Sequence, residues 1–136
     1  MIVLGPNILL HAYDSTSSQH ANARAWVEKT FSGTDAIGLP WQTVAAFLRI
    51  TTNPKLPVER FSIPEAVQIV DVWSEQPNPR LLAPSDDHSD LLRRMIVEWQ
   101  AIGALVSDAA LAALTIECGG VLHTIDRDFA RFPDLR

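Results

Sequence analysis

The sequence predicts an α/β fold: a mostly parallel sheet covered by helices. Three observations carry this expectation. Short uncharged runs rich in β-branched and aliphatic residues, such as Met1–Leu4 and Val121–Ile125, recur along the chain. Amphipathic stretches of helical period separate them, and strands that alternate with helices pair in parallel. Proline and glycine punctuate the junctions. The 136 residues suit one domain with one core, 1–136, and a composition 47% hydrophobic and 20% charged is that of a globular chain.

Each element has its own local reason. Met1–Leu4 reads as a short buried strand ending at Gly5-Pro6, and Asn7–Tyr13 as a helical turn or two. "STSSQ" at 15–19 is a loop that supplies the cap of a helix over His20–Phe31. In that helix Ala23, Trp26, Val27 and Thr30 share a face, and Gly33 ends it. Ala36–Leu39 reads as a strand stopped by Pro40, followed by a helix from Trp41 to about Thr51, closed before Pro54. "KLPVERF" is a loop. Ser62, Pro64 and Glu65 form a capping-box start for a helix with Ala66, Ile69, Val70 and Trp73 on its apolar face. "EQPNP" breaks it, and Arg80–Leu82 reads as a brief strand. Asp86–Trp99 is amphipathic, with Leu91, Leu92, Met95, Ile96 and Trp99 inward. Val106-Ser107 leads into an alanine-rich helix opened by Asp108 and ended by Gly119-Gly120. "VLHTI" is a buried strand, and "DRDFARF" leaves its tip.

Composition narrows the function. A net charge of −5 argues against a domain that holds nucleic acid by general electrostatics, though not against an enzyme that meets it through bound metal and a small basic patch. No apolar run is long enough to span a bilayer, and no signal peptide is visible, so a cytoplasmic protein is expected. The single cysteine, Cys118, lies in an apolar stretch and reads as a structural thiol.

Sheets of this kind present their sites at the carboxyl ends of their strands, which directs attention to Gly5, Asp108 and Asp126. Asp126 and Asp128 follow one strand directly, and Asp108 stands at a second strand-to-helix junction. Carboxylates gathered there repel one another unless a cation lies between them, and hard ions such as Mg²⁺ or Mn²⁺ prefer oxygen ligands. Taken singly, each aspartate is equally a helix cap. Taken together, a metal site and a set of caps have equal standing. The four histidines share no ligand spacing, and His123 reads as structural. The serines at 15, 17 and 18 lack a nucleophile motif. The tryptophans read as core residues, and Arg93, Arg94, Arg127 and Arg131 as a solvated face.

Three segments, "IVLGPNILLHAYD", "LPWQTVAAFLRITTNP" and "VSDAALAALTIECGGVLHTIDRDFARFPDL", resemble the PIN-domain family. Within it they are most similar to the VapC toxin ribonucleases of VapBC toxin–antitoxin systems, over nearly the whole chain. The resemblance implies a three-layer α/β/α sandwich and cleavage of RNA by acids that hold Mg²⁺ or Mn²⁺. It assigns metal binding to Asp108 and Asp126, an auxiliary acid to Asp128 and a supporting role to Asn7. It also implies a VapB-type antitoxin as partner, with an inhibitory segment in the acidic groove, and a homodimer.

The chain departs from the family pattern at two places. The first acid of the family's motif stands two residues before Asn7, where this chain has Gly5. A glutamate often found in the helix after the second strand is replaced by Ala46, and Arg49 on that helix is either a helper or structural. Gly5 marks either a substitution that disarms a toxic enzyme or a degenerate member; the otherwise intact set of acids favours the first. The expectation is an impaired ribonuclease, and the alternative a PIN-like module that has given up chemistry and binds protein or RNA.

Overall fold

The computed structural model describes residues 1–57, 60–132 and 134–136. The expected loop over residues 55–61 therefore lies partly outside the described residues. The elements run β1 (Ile2–Leu4), α1 (Pro6–Tyr13), α2 (His20–Phe31), β2 (Ile37–Pro40), α3 (Trp41–Thr51), α4 (Ile63–Glu75), β3 (Pro79–Leu82), α5 (His88–Glu98), α6 (Ala104–Glu117) and β4 (Val121–His123), followed by a 3-10 helix, Arg127–Arg131.

The strands form one sheet in the order β3-β2-β1-β4, every pair parallel. The chain steps outward from β1 to β2 to β3, then returns to place β4 on the free side of β1. Right-handed crossovers in opposite directions put their helices on opposite faces. Two cores follow, one on each side of the sheet, giving the α/β/α sandwich. Period-two alternation divides β1 between them: Leu4 packs with Leu9, Ile37, Leu39 and Phe47, whereas Val3 packs with Ala109, Leu111 and Phe129. Tyr13, Phe47 and Trp73 meet edge to face, centroids 4.7–5.8 Å apart, and the Trp73 indole N–H donates to the Tyr13 hydroxyl at 2.9 Å. These contacts tie α1, α3 and α4 into a single layer.

Local chemistry accounts for most element ends. Ser62 and Glu65 make the expected reciprocal capping box. Gly119 turns the chain after α6 with φ +65°. Other expectations are corrected. No side chain caps α2; Ser17 Oγ instead accepts from the Gln19 N–H and bonds the His11 ring. Helix α5 starts at His88 rather than Asp86. Strand β4 stops at His123, and as an edge strand it leaves Val121 exposed rather than buried. Trp41 is 53% exposed and so is not a core residue, because it opens α3 on the solvent side.

The largest correction concerns α6. It begins at Ala104, not Asp108. Gly103 adopts φ +58°, ψ −128°, a conformation open almost solely to glycine, and this lets the helix start early without a capping side chain. Asp108 is thus inside the helix and caps nothing.

Candidate functional site

The direction of strand order reverses between β1 and β4, and such a reversal opens a crevice at the carboxyl ends of the two strands. Their register aligns Leu4 with His123, so the residues that follow, Gly5 and Thr124, lie side by side. The Gly5 N–H donates to the His123 carbonyl at 3.0 Å. A buried hydrogen bond from Thr43 Oγ1 to the Leu4 carbonyl, 2.8 Å, fixes the same strand end to α3.

Beyond β4 the chain turns through two local side-chain bonds. Thr124 Oγ1 accepts from the Asp126 N–H at 3.1 Å, and Asp126 Oδ1 accepts from the Asp128 N–H at 2.9 Å. Asp126 therefore does cap the 3-10 helix, as one of the two sequence readings has it. That cap leaves carboxylate oxygens free. From α6, Asp108 joins them: one carboxylate oxygen from each of Asp108, Asp126 and Asp128 lies within 4.8 Å of the others. Asp108 makes no hydrogen bond to another described residue. Partial burial pushes its carboxyl above the usual carboxylate range, the negative charges of Asp126 and Asp128 push it further, and Arg131 opposes them. A trio of acids held this close, one of them resisting ionisation, is a donor set suited to a hard divalent cation.

Asp108 and Asp126 border a groove of about 580 Å³. One wall is α3, through Gln42, Ala45, Ala46, Arg49 and Ile50, positions i, i+3, i+4, i+7 and i+8 of a single helix face. The other is α6, through Ala104, Ser107, Asp108 and Leu111, with Asp126 and Phe129 beyond it; Pro6 and Asn7 close the end. Gln42 Nε2 donates to the Ser107 carbonyl at 3.1 Å and links the walls. Gln42, Thr43 and Thr124 are not singled out by the sequence, and Ser107 is read there only as leading into a helix. Only Thr43, a polar residue at a buried helical position, left a trace there.

The remaining polar candidates lie elsewhere. His123 stacks on Trp26 at 4.9 Å, and burial pushes its imidazole below its ordinary value. His88 pairs with Glu117 at 2.9 Å on the α5–α6 side. Arg93 pairs with Asp90, both exposed. Cys118 is partly buried, its thiol donating to the Thr115 carbonyl. Among the described residues, Asp108, Asp126 and Asp128 form the group of His, Cys, Asp or Glu side chains able to share an ion.

No family model matches the chain. Ribonuclease VapC33 of Mycobacterium tuberculosis is 35% identical over 136 residues, covering all of this chain and 95% of its own length. Ribonuclease VapC37 of the same organism is 33% identical, again over all of this chain and 94% of its own. Among solved structures, M. tuberculosis VapC20, a sarcin-ricin loop cleaving toxin, superposes with a TM-score of 0.72 at 14% identity, covering 96% of this chain and 93% of that one. VapBC2 of Rickettsia felis, solved on a DNA fragment from its promoter, gives 0.70 at 18% identity, covering 99% and 96%. The structural likenesses bear on the fold alone, but the sequence likeness runs end to end at a third identity. The chain belongs to the VapC family of PIN-domain ribonuclease toxins.

Proposed function

We propose that this chain is the toxin of a VapBC-type pair, a ribonuclease whose Asp108 and Asp126, with Asp128 beside them, hold Mg²⁺ or Mn²⁺. In this reading Gly5 leaves it severely impaired. One observation carries the proposal: carboxylates from two distant segments meet within 4.8 Å at the strand-end crevice next to Gly5. Three negative charges in so small a space are compensated by a divalent cation, and the donor set fits one. A cation bound there supplies positive charge to a phosphoryl oxygen and to the attacking water. The chain's own part is to hold the acids in place, through the Thr124 and Asp126 turn bonds, and to offer a groove bordered by both walls. We read residues 1–136 as a single domain.

Position 5 is built to accept a side chain. Gly5 has φ −75° and ψ 156°, ordinary extended backbone that any residue adopts. A Cβ there meets Thr124 Cβ at 3.3 Å and Oγ1 at 3.4 Å, a tight contact that Thr124, itself bonded to the Asp126 N–H, must relieve by a few tenths of an ångström. Gly5→Asp is therefore expected to fold and to raise RNA cleavage with Mg²⁺ or Mn²⁺ by at least ~10–100-fold, the usual weight of a group supporting a metal site. A folded Gly5→Asp protein with no gain over the parent refutes the catalytic reading and leaves the binding-module alternative, which Gly5 itself favours. The VapBC complexes among the structural neighbours support a VapB-type antitoxin as partner, its basic segment facing this acidic groove. Exposed Trp41, Ile63, Val67 and Val72 on α3 and α4 support a homodimer surface. No described helix is long and apolar enough to cross a membrane; cytoplasmic residence is part of the proposal.

A further inference from the structure

We infer that Arg49 is a substrate-binding residue of the groove, taking a backbone phosphate of single-stranded RNA on the α3 wall while the acids stand on the α6 side. The inference rests on the nuclease reading above. Arg49 is the one cation among the described residues that border the groove. It makes no hydrogen bond or ion pair with another described residue. Between Arg49 and the acids the α3 face carries Ala45 and Ala46, whose short side chains keep the groove open for a strand. A chain of net charge −5 repels RNA overall. A lone guanidinium at the groove wall, with its planar fork of donors, therefore fixes which phosphate lies nearest the acids.

A purely structural role competes with this one: Arg49 lies in the last turn of α3, where a cation favours the helix dipole. The two are separated by the salt dependence of RNA binding. The present Gly5 chain is the reagent of choice, because impaired cleavage leaves the probe whole. A fluorescein-labelled single-stranded RNA is titrated with the chain in Mn²⁺ over a series of salt concentrations. Arg49→Ala and Arg49→Gln are expected to lower the slope of log K against log salt by about 0.7, the share of one phosphate on a single strand. Arg49→Lys keeps the slope, and so does Arg24→Ala, an exposed cation on α2. Affinity in Arg49→Ala falls up to about 5-fold, the scale of one solvent-exposed ion pair. An unchanged slope, whatever happens to Tm, overturns the inference. If the parent chain binds RNA too weakly to titrate, the pair is read in the Gly5→Asp background, where Arg49→Ala must raise KM with kcat held; unchanged kcat/KM overturns it equally. Absence of both RNA binding and Gly5→Asp cleavage instead sinks the nuclease reading, and the role of Arg49 with it.

Discussion

Asp108→Asn removes one of three negative charges from a cluster whose facing oxygens lie within 4.8 Å of one another, and it alters almost nothing else, since Asp108 has no hydrogen-bond partner among the described residues. At 4.8 Å, with water-like screening, each pair of charges repels by about 0.9 kcal/mol. Asp108 faces two such neighbours; salt and the opposing Arg131 reduce the sum to about 1 kcal/mol. For 136 residues the entropy of unfolding is roughly 290 cal/mol/K, so the metal-free variant is expected to melt about 3–4 °C above the parent. The carboxyl of Asp108 lies above its ordinary value of 3.8 in the folded chain, so ionisation costs folding energy that is fully felt above the folded value. As pH falls through that value the cost fades, and the advantage of the variant disappears below 3.8. Saturating Mn²⁺ reverses the ranking: at about 100 times its Kd an ion adds about 2.7 kcal/mol to the parent, or about 9 °C, and most of this is lost in the variant. Scanning calorimetry in EDTA and in Mn²⁺ reads both halves. A variant that melts at or below the parent in EDTA refutes the idea that these carboxylates repel one another.

Two further outcomes are expected. Gly103→Ala forces a side chain into φ +58°, ψ −128°, and should cost about 1–3 kcal/mol; because Gly103 sets where α6 begins, Mn²⁺ affinity read by calorimetry should fall along with Tm. Burial pushes the Glu117 carboxyl up, but hydrogen bonds from Ser85 and His88 outweigh it and hold Glu117 below the usual carboxylate range. Its contribution to stability is thus present above pH 4.5 and is lost as pH falls through the folded value, so Glu117→Gln should lower Tm at neutral pH and converge with the parent in acid melts.

Much of this was legible in the sequence, for identifiable reasons. Helices over 20–31 and 41–51 have the expected bounds because their apolar periods are cleanly delimited by loop, glycine or proline residues. The Ser62–Glu65 box is a short-range signal and was read in full. The place of Asp126 and Asp128 after a strand is legible in the sequence. Asp108 reads there as the opening of a helix that in fact begins at Ala104. The left-handed conformation of Gly103 leaves no mark on sequence periodicity, so nothing marked the earlier start. Trp41 and Val121 were assigned to the interior on hydrophobicity, but exposure depends on which strand is at the edge and which side of α3 meets the sheet. The groove wall of Gln42, Ala45, Ala46 and Arg49 depends on the docking angle of α3 against α6, which no local pattern encodes.

The neighbouring of β1 and β4 has a consequence for how the protein is made. Gly5 leaves the ribosome well before its strand neighbour, His123, and the acids at 126 and 128. Pairing across so long a stretch of chain cannot begin until that late segment is free of the exit tunnel. Even then the Leu122 N–H is satisfied by the Arg136 carbonyl at 2.6 Å, so still later residues help seat the strand. A nascent chain, however much of its helical layer has folded, therefore lacks an assembled centre, and a cell translating an active relative would be shielded from it until that downstream segment has been made.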